Sequence, residues 1–333
     1  ACGAFAVSRH GCAPAYPSWE ELTVFLRDGS PERALRNDAA LEHIHHATNR
    51  RREHAEIRAF AFDHRAQLES LTTDATRIGR FKTLCLVAAQ RVAEAKGGAE
   101  GHGILCDGRL GTEALHAAAG TGLWIGRPVE APGAHPLRLE IGRDYGSALR
   151  EWPDEHVVKV LCAIHPDDDH ALWHAQTETL LRLQDAVRAN DLDWLIEPIP
   201  SRNGPVDDDT VARLIDRLYD EGLRPDWWKL EPLETDAAWD KACTRIAARD
   251  PYCRGILVLG LGAEEAALAD SLARAARHSL VKGFAIGRTI FDTAARAWLA
   301  GDMDDEAAIA DMAVRYGRLC DIWDGARRAG AST

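Results

Sequence analysis

Lysine is scarce in this chain, which makes the position of each lysine informative. Only six of the 40 basic residues are lysines, and one of them, Lys229, lies in a short apolar segment at residues 226–230. Arginine stays protonated, whereas a crowded or desolvated lysine can lose its proton and attack a carbonyl carbon. The position of Lys229 therefore predicts either a Schiff-base nucleophile or a structural ion pair with Glu231 or Asp226.

Three other ionisable residues occupy comparable positions. Lys159 and Glu197 lie within apolar segments, and Asp63 follows another. Burying a charge without a partner is costly, so we expect these side chains to meet Lys229. The cluster is then either a structural network or a catalytic site. In the catalytic interpretation, an ammonium near Lys229 favours its free amine, Glu197 moves protons, and Asp63 is a second acid/base or an orienting group.

The segments that carry these residues form a regular series. Eight short apolar segments alternate with amphipathic stretches that are long enough for helices. This pattern predicts an α/β fold, a (β/α)8 TIM barrel over residues 56–328. A doubly wound open sheet is the alternative, but it usually has fewer strands, and no GxGxxG follows the first segment. The predicted strands are residues 57–62, 103–106, 122–125, 157–164, 194–199, 226–230, 255–259 and 281–286.

Residues 1–55 lack this alternation. Ser18 is typical of a helix N-cap, and residues 38–52 read as a polar, histidine-bearing helix. We therefore predict an N-terminal helical extension or linker ahead of the barrel.

Polar residues also follow several other predicted strands. TIM-barrel enzymes place their substrate contacts at the C-terminal ends of strands, where residues two apart share a face. The residues at these positions that we predict to bind substrate are Arg65, Asp107, Arg109, His165 and Glu231.

Glycine-bearing turns follow predicted strands seven and eight. Loops after these two strands are the usual phosphate site of the fold, because glycine lets backbone N–H groups approach the anion and a helix start adds its dipole. Arg288 adds a positive charge to the second turn. The predicted phosphate-binding residues are Gly260, Gly262, Gly287 and Arg288.

Composition limits the remaining function classes. The net charge of −12 argues against a general nucleic-acid or anionic-membrane surface. No apolar run approaches the roughly 18 residues of a membrane span, and the predicted location is the cytoplasm. A metal-dependent enzyme is a further alternative, with His165, Asp107 and Glu197 as its only plausible ligand set. The favoured interpretation predicts no metal and no cofactor.

Several sequence blocks, taken in order, resemble class I aldolases of the tagatose-1,6-bisphosphate aldolase type. The closer resemblance is to the domain fused behind 5-dehydro-2-deoxygluconokinase in bacterial myo-inositol catabolism. It covers about residues 56–328, and residues 6–12 look like the tail of a ribokinase-type sugar kinase. The blocks are residues 60–65, 158–161, 196–197, 229–232 and 287–288.

This resemblance implies a role for each inward residue. Lys229 matches the Schiff-base lysine, although Pro232 directly follows Glu231 here. Glu197 matches the acid/base glutamate, Lys159 the accessory lysine, and Asp63 the aspartate that ends the first strand.

The resemblance also implies a substrate, 2-deoxy-5-keto-gluconate 6-phosphate, cleaved to dihydroxyacetone phosphate and malonate semialdehyde. Arg65 or Arg109 is then expected to hold the carboxylate and Arg288 the phosphate. His64 departs from the residue of the aldolase relative, which puts substrate recognition in question. A kinase domain in the same polypeptide is the implied partner. The alternative is a non-catalytic domain that binds a sugar phosphate and regulates such a kinase.

Overall fold

Eight parallel strands pair in chain order, and β1 also pairs with β8, which closes the sheet into a barrel. The computed structural model describes residues 1–50, 52–260, 262 and 264–330. The closed ring confirms the predicted (β/α)8 fold, and the observed strands begin and end close to the predicted ones. They are β1 Ile57–Ala61, β2 His102–Leu105, β3 Trp124–Pro128, β4 His156–Cys162, β5 Trp194–Pro198, β6 Trp227–Leu230, β7 Gly255–Leu259 and β8 Val281–Ile286.

Helices follow the strands around the barrel. Asp74, Asp144, Asp169 and Thr235 each cap one of them through a side-chain oxygen. None of the described helices is long and apolar enough to span a bilayer. The barrel helices are α4 Ala66–Glu69, α5 Ala75–Ala95, α6 Thr112–Ala118, α7 Tyr145–Leu149, α8 His170–Ala189, α9 Thr210–Asp220, α10 Asp236–Arg249, α11 Glu265–Ala275, α12 Arg288–Ala300 and α13 Asp305–Gly330.

The chain divides into two compact units, Ala1–Glu53 and His54–Thr333. The first contains the helices α1 Cys2–Ser8, α2 Trp19–Asp28 and α3 Ala39–Thr48. The hydroxyl of Ser18 accepts a hydrogen bond from the Glu21 N–H at 3.1 Å, so it caps α2 as predicted. A small core around Phe5 holds these helices together.

Side chains of the strands alternate between two apolar layers. Ala59 and Ala61 of β1 lie in the layer inside the ring, whereas Phe60 and Phe62 pack among the surrounding helices. The same alternation places Leu195 of β5 inside. Because successive strand residues point to opposite faces, this parity directs the ionisable residues of the same strands into the barrel.

The seam between β1 and β8 requires a glycine. Gly283 pairs with Ile57 across this seam at φ +147°, and a Cβ there would lie 1.8 Å from the Ile57 carbonyl oxygen. A side chain at this position is therefore sterically excluded.

Helix α13 also holds β1 in place. The Tyr316 hydroxyl donates to the Arg58 carbonyl oxygen at 2.6 Å, and Asp324 pairs with the Arg58 guanidinium at 2.7 Å.

A fully buried lysine connects the ends of β1 and β2. Lys82 of α5 donates to the carbonyl oxygens of Phe62 at 2.6 Å and His64 at 3.2 Å. It also forms a salt bridge with Asp107, which is fully buried as well. The ammonium thus satisfies three oxygens at the end of the barrel where β1 and β2 finish.

Replacing Lys82 by methionine is expected to lower the free energy of unfolding by about 3–5 kcal/mol, because the Asp107 carboxylate is left buried without its cation. Urea unfolding at pH 7, followed by circular dichroism, measures the change. The double variant Lys82→Met/Asp107→Asn removes both charges and is expected to recover part of the loss. Equal stabilities of the single variant and the wild type would contradict the assigned role.

Candidate active site

The four predicted catalytic side chains meet at the C-terminal end of the barrel. They line one cavity of about 460 Å³. The Lys229 ammonium donates to Oε1 of Glu197 at 2.8 Å, and the Lys159 ammonium lies 2.8 Å from Oε2 of the same carboxylate. Lys159 also donates to Oδ2 of Asp63 at 3.2 Å. One carboxylate therefore bridges two lysines, in an order that follows the strands β4, β5 and β6.

The charges of this cluster are fixed by their neighbours. Burial alone would lower the pKa of Lys159, but Asp63, Glu130 and Glu197 outweigh it and raise the pKa above its ordinary value. Burial would raise the pKa of Asp63 and of Glu197, and the adjacent lysines lower both instead. At neutral pH Asp63 and Glu197 are thus carboxylates, and Lys159 between them is charged.

His64 adds a neutral imidazole to the cavity wall. Burial, reinforced by nearby lysines, lowers the pKa of His64 to about 4, and Asp63, whose Oδ1 is 3.7 Å from Nδ1, opposes this shift only in part. The imidazole packs edge-to-face against the Phe291 ring, with 5.1 Å between ring centroids. His64 can therefore exchange hydrogen bonds with a substrate hydroxyl without adding charge.

Glu130 belongs to the site, although the sequence analysis did not select it. Its Oε1 accepts hydrogen bonds from Lys159 at 3.0 Å and from Arg65 at 2.8 Å, and its Oε2 accepts one from the Leu161 N–H at 3.1 Å. Arg65 also donates to Glu140 at 2.7 Å. Arg65, which was predicted to bind substrate, thus lines the cavity, but two carboxylates already engage its guanidinium.

Asp107 and Arg109, which were predicted to bind substrate, do not line the cavity. Besides its salt bridge with Lys82, Asp107 accepts hydrogen bonds from the N–H groups of Arg109 at 3.1 Å and Leu110 at 2.7 Å. Arg109 forms an exposed salt bridge with Glu69 at 2.7 Å. Asp107 therefore caps a turn, and Arg109 forms a surface ion pair.

His165 and Glu231 also lie outside the lining. His165 accepts a hydrogen bond from the Asp167 N–H on Nδ1 at 3.1 Å, so its Nε2 carries the proton and donates to the Pro205 carbonyl oxygen at 3.0 Å. Glu231 accepts hydrogen bonds from the N–H and hydroxyl of Ser201 at 3.2 and 2.5 Å. Both residues hold the segment that follows β5.

The predicted phosphate-binding residues all line the cavity. Gly260 and Gly262 follow β7, and Gly287 and Arg288 follow β8. A Cβ at Gly287 would lie 2.1 Å from the Ala61 carbonyl oxygen, so this turn approaches β1 too closely for a side chain. Leu261 and Ala263, within the first predicted turn, lie outside the described residues.

The alternative metal site is not assembled in the described part of the chain. His165, Asp107 and Glu197 are not among the groups whose ligand atoms come within reach of one ion. Two of them hold backbone segments outside the cavity, as described above.

Comparison with known proteins places the chain in a family. Residues 21–327 match the model of the family described as "Uncharacterized protein conserved in bacteria (DUF2090)". The chain belongs to this family. The DUF2090 chain has no significant match among curated proteins.

Solved structures share the fold of this DUF2090 barrel. One is a fructose-bisphosphate aldolase from Plasmodium falciparum, in complex with TRAP and a small-molecule inhibitor, at 12% identity and a TM-score of 0.57, covering 86% of this chain and 95% of that one. Another is the protein Cgl0159 from Corynebacterium glutamicum, at 17% identity and a TM-score of 0.53, covering 91% and 98%. At these identities the likeness concerns the barrel itself, and the chemistry must be argued from the side chains.

Proposed function

We propose that this DUF2090 barrel is a Schiff-base aldolase that cleaves a phosphorylated keto sugar acid. The observation that carries the proposal is the chain of contacts from Lys229 through Glu197 to Lys159, at 2.8 Å each, inside one cavity. A lysine that attacks a ketone needs a proton acceptor within hydrogen-bond distance, and Oε1 of Glu197 lies at that distance.

Adduct formation uses two of these groups directly. The Lys229 nitrogen gives a proton to Glu197 and attacks the ketone carbon, which forms a carbinolamine. Glu197 returns the proton to the carbinolamine hydroxyl, which leaves as water, and an iminium remains. Lys159 stays charged because three carboxylates surround it, so it stabilises the carboxylate form of Glu197 between these steps.

Cleavage then follows from the iminium. For 2-deoxy-5-keto-gluconate 6-phosphate, a carboxylate of the site, Glu197 or Asp63, removes the proton of the hydroxyl on carbon 3. The bond between carbons 3 and 4 breaks, its electron pair moves toward the iminium nitrogen, and malonate semialdehyde departs. Protonation of the resulting enamine at carbon 4 and hydrolysis release dihydroxyacetone phosphate and the free amine.

The substrate is proposed on two grounds. The glycine turns after β7 and β8, with Arg288, line the cavity where this fold binds phosphate. The identity of the keto acid rests on the sequence resemblance to the domain behind 5-dehydro-2-deoxygluconokinase. In this proposal the enzyme acts in cytoplasmic myo-inositol catabolism, downstream of that kinase activity.

Borohydride trapping tests the proposal. We expect sodium borohydride to reduce a covalent adduct between the protein and dihydroxyacetone phosphate, with the mass increase on Lys229 in a peptide map. The rival function, a non-catalytic domain that binds sugar phosphates, predicts saturable binding without an adduct. Unmodified protein after treatment with both dihydroxyacetone phosphate and the keto sugar acid phosphate would exclude the aldolase.

A further inference from the structure

The cavity lining contains more cationic side chains than carboxylates. Three carboxylates, Asp63, Glu130 and Glu197, line it together with five lysine and arginine side chains. Three of those cations contact these carboxylates, as described above. The lining also contains Arg202 and Arg288. The cavity is therefore locally cationic in a chain of net charge −12, which suits a substrate with more than one anionic group.

Arg202 differs from the other cations in its surroundings. Its side chain is exposed at the cavity, and within the described residues no carboxylate pairs with its guanidinium. Arg65, by contrast, is held by Glu130 and Glu140 at 2.8 and 2.7 Å. An exposed guanidinium keeps all its N–H groups available for a bidentate contact with a carboxylate or a phosphate.

The backbone that carries Arg202 is anchored on both sides. It ends the 3-10 turn Pro200–Arg202, which follows β5. Glu231 holds the preceding Ser201 through two hydrogen bonds, and the Asn203 amide donates to the Ala163 carbonyl oxygen at 3.0 Å. This anchoring lowers the entropy lost when Arg202 binds an anion.

Further contacts hold the same segment from the loop that follows β4. The Asn203 amide nitrogen also lies 3.2 Å from both oxygens of Asp168, and His165 donates to the Pro205 carbonyl oxygen. His165 and Glu231, which sequence reasoning assigned to the substrate, thus hold the turn that presents Arg202.

The order of the strands places Lys229 between the two cations. Arg202 follows β5, Lys229 is on β6, and Arg288 follows β8. A molecule whose ketone carbon is bonded to Lys229 can therefore extend one end toward the glycine turns and Arg288 and the other end toward Arg202.

We infer that Arg202 is a specificity-determining residue that binds a second anionic group, a carboxylate or a phosphate, at the substrate end opposite Arg288. The inference rests on the proposed function for the orientation of the substrate. It replaces the expectation that Arg65 or Arg109 holds this group, because the first is held by two carboxylates and the second lies outside the cavity.

Calorimetric binding of three probes without a ketone tests this inference independently of catalysis. The probes are 6-phosphogluconate, sorbitol 1,6-bisphosphate and sorbitol 6-phosphate, whose second ends are a carboxylate, a phosphate and a neutral hydroxyl. We expect the wild type to bind at least one of the two doubly anionic probes about 10- to 100-fold more tightly than sorbitol 6-phosphate. Arg202→Met is expected to remove this preference without weakening sorbitol 6-phosphate, and Arg202→Lys to retain part of it.

Arg296→Met is the matched control, because Arg296 is exposed and pairs with Asp292 on the outer helix α12. It is expected to leave all three affinities unchanged. A preference for 6-phosphogluconate alone identifies a carboxylate site, and one for the bisphosphate alone identifies a phosphate site. The inference is overturned if Arg202→Met still prefers a doubly anionic probe over sorbitol 6-phosphate, or if the wild type shows no such preference. The aldolase proposal is tested by a different measurement, borohydride trapping, and it fails if no adduct forms on Lys229.

Discussion

Replacing Lys229 by methionine is expected to abolish aldol cleavage, with kcat reduced about 10⁴-fold or more. Methionine keeps a side chain of similar length but has no nitrogen to attack the ketone, so neither the carbinolamine nor the iminium can form. Release of dihydroxyacetone phosphate, measured with a coupled dehydrogenase, gives the rate. Borohydride trapping of the same variant is expected to give no adduct.

Lys241→Met is the matched control for this variant. Lys241 is an exposed lysine of α10 that pairs with Asp209, so its removal changes the lysine count without touching the cavity. We expect wild-type activity and trapping from it. Residual cleavage by Lys229→Met within tenfold of the wild type would contradict Schiff-base catalysis at this position.

Glu197→Gln is expected to lower kcat by about 10²- to 10⁴-fold, the range typical of a lost general acid/base. Glutamine can still accept a hydrogen bond from Lys229 but cannot take and return its proton. The adduct should therefore still form, but slowly. Rapid-quench borohydride trapping measures its rate of formation, and steady-state assays measure kcat.

Glu113→Gln provides the comparison for this second variant, because Glu113 is an exposed glutamate of α6. It is expected to behave as the wild type. If Glu197→Gln formed the adduct and turned over at the wild-type rate, Glu197 would be only a structural partner of the two lysines. Loss of folding in Glu197→Gln is checked by circular dichroism before the rates are compared.

The sequence predicted the fold and the centre of the site because both follow from alternation. Short apolar segments separated by helices predicted eight strands, and the period of two along each strand directed Lys159, Glu197 and Lys229 inward. These residues lie within strands β4, β5 and β6, where the ladder of backbone hydrogen bonds fixes the side-chain direction. Their meeting was therefore predictable without knowledge of any loop.

Residues beyond the strand ends were less predictable, because strand parity no longer applies to them. Strand β3 was predicted to end at residue 125, but it continues to Pro128, so Glu130 was not assigned to a strand end. Asp107 follows β2, and backbone N–H groups and a lysine of α5 take up its carboxylate. Arg202 lies four residues past β5 in a turn whose shape depends on contacts with the segments that follow β4 and β6.

Nothing in local sequence identifies such contacts, because each joins residues that are far apart in the chain. The hydrogen bond from Ser201 to Glu231 and the salt bridge from Lys82 to Asp107 connect positions separated by 30 and 25 residues. Only the closed ring brings these positions together.

The pairing of β1 with β8 also determines when this barrel can be completed during synthesis. Ile57 meets Gly283 across the seam, and Tyr316 of α13 bonds to β1, so the first strand has no partner on this side until β8, the last strand of the ring, has left the ribosome. Until then its free edge can pair with other chains. Contacts between residues so distant in the chain also slow folding. This edge of β1 therefore stays unpaired for longer during synthesis than the edge of a strand that pairs with its sequence neighbour as it emerges.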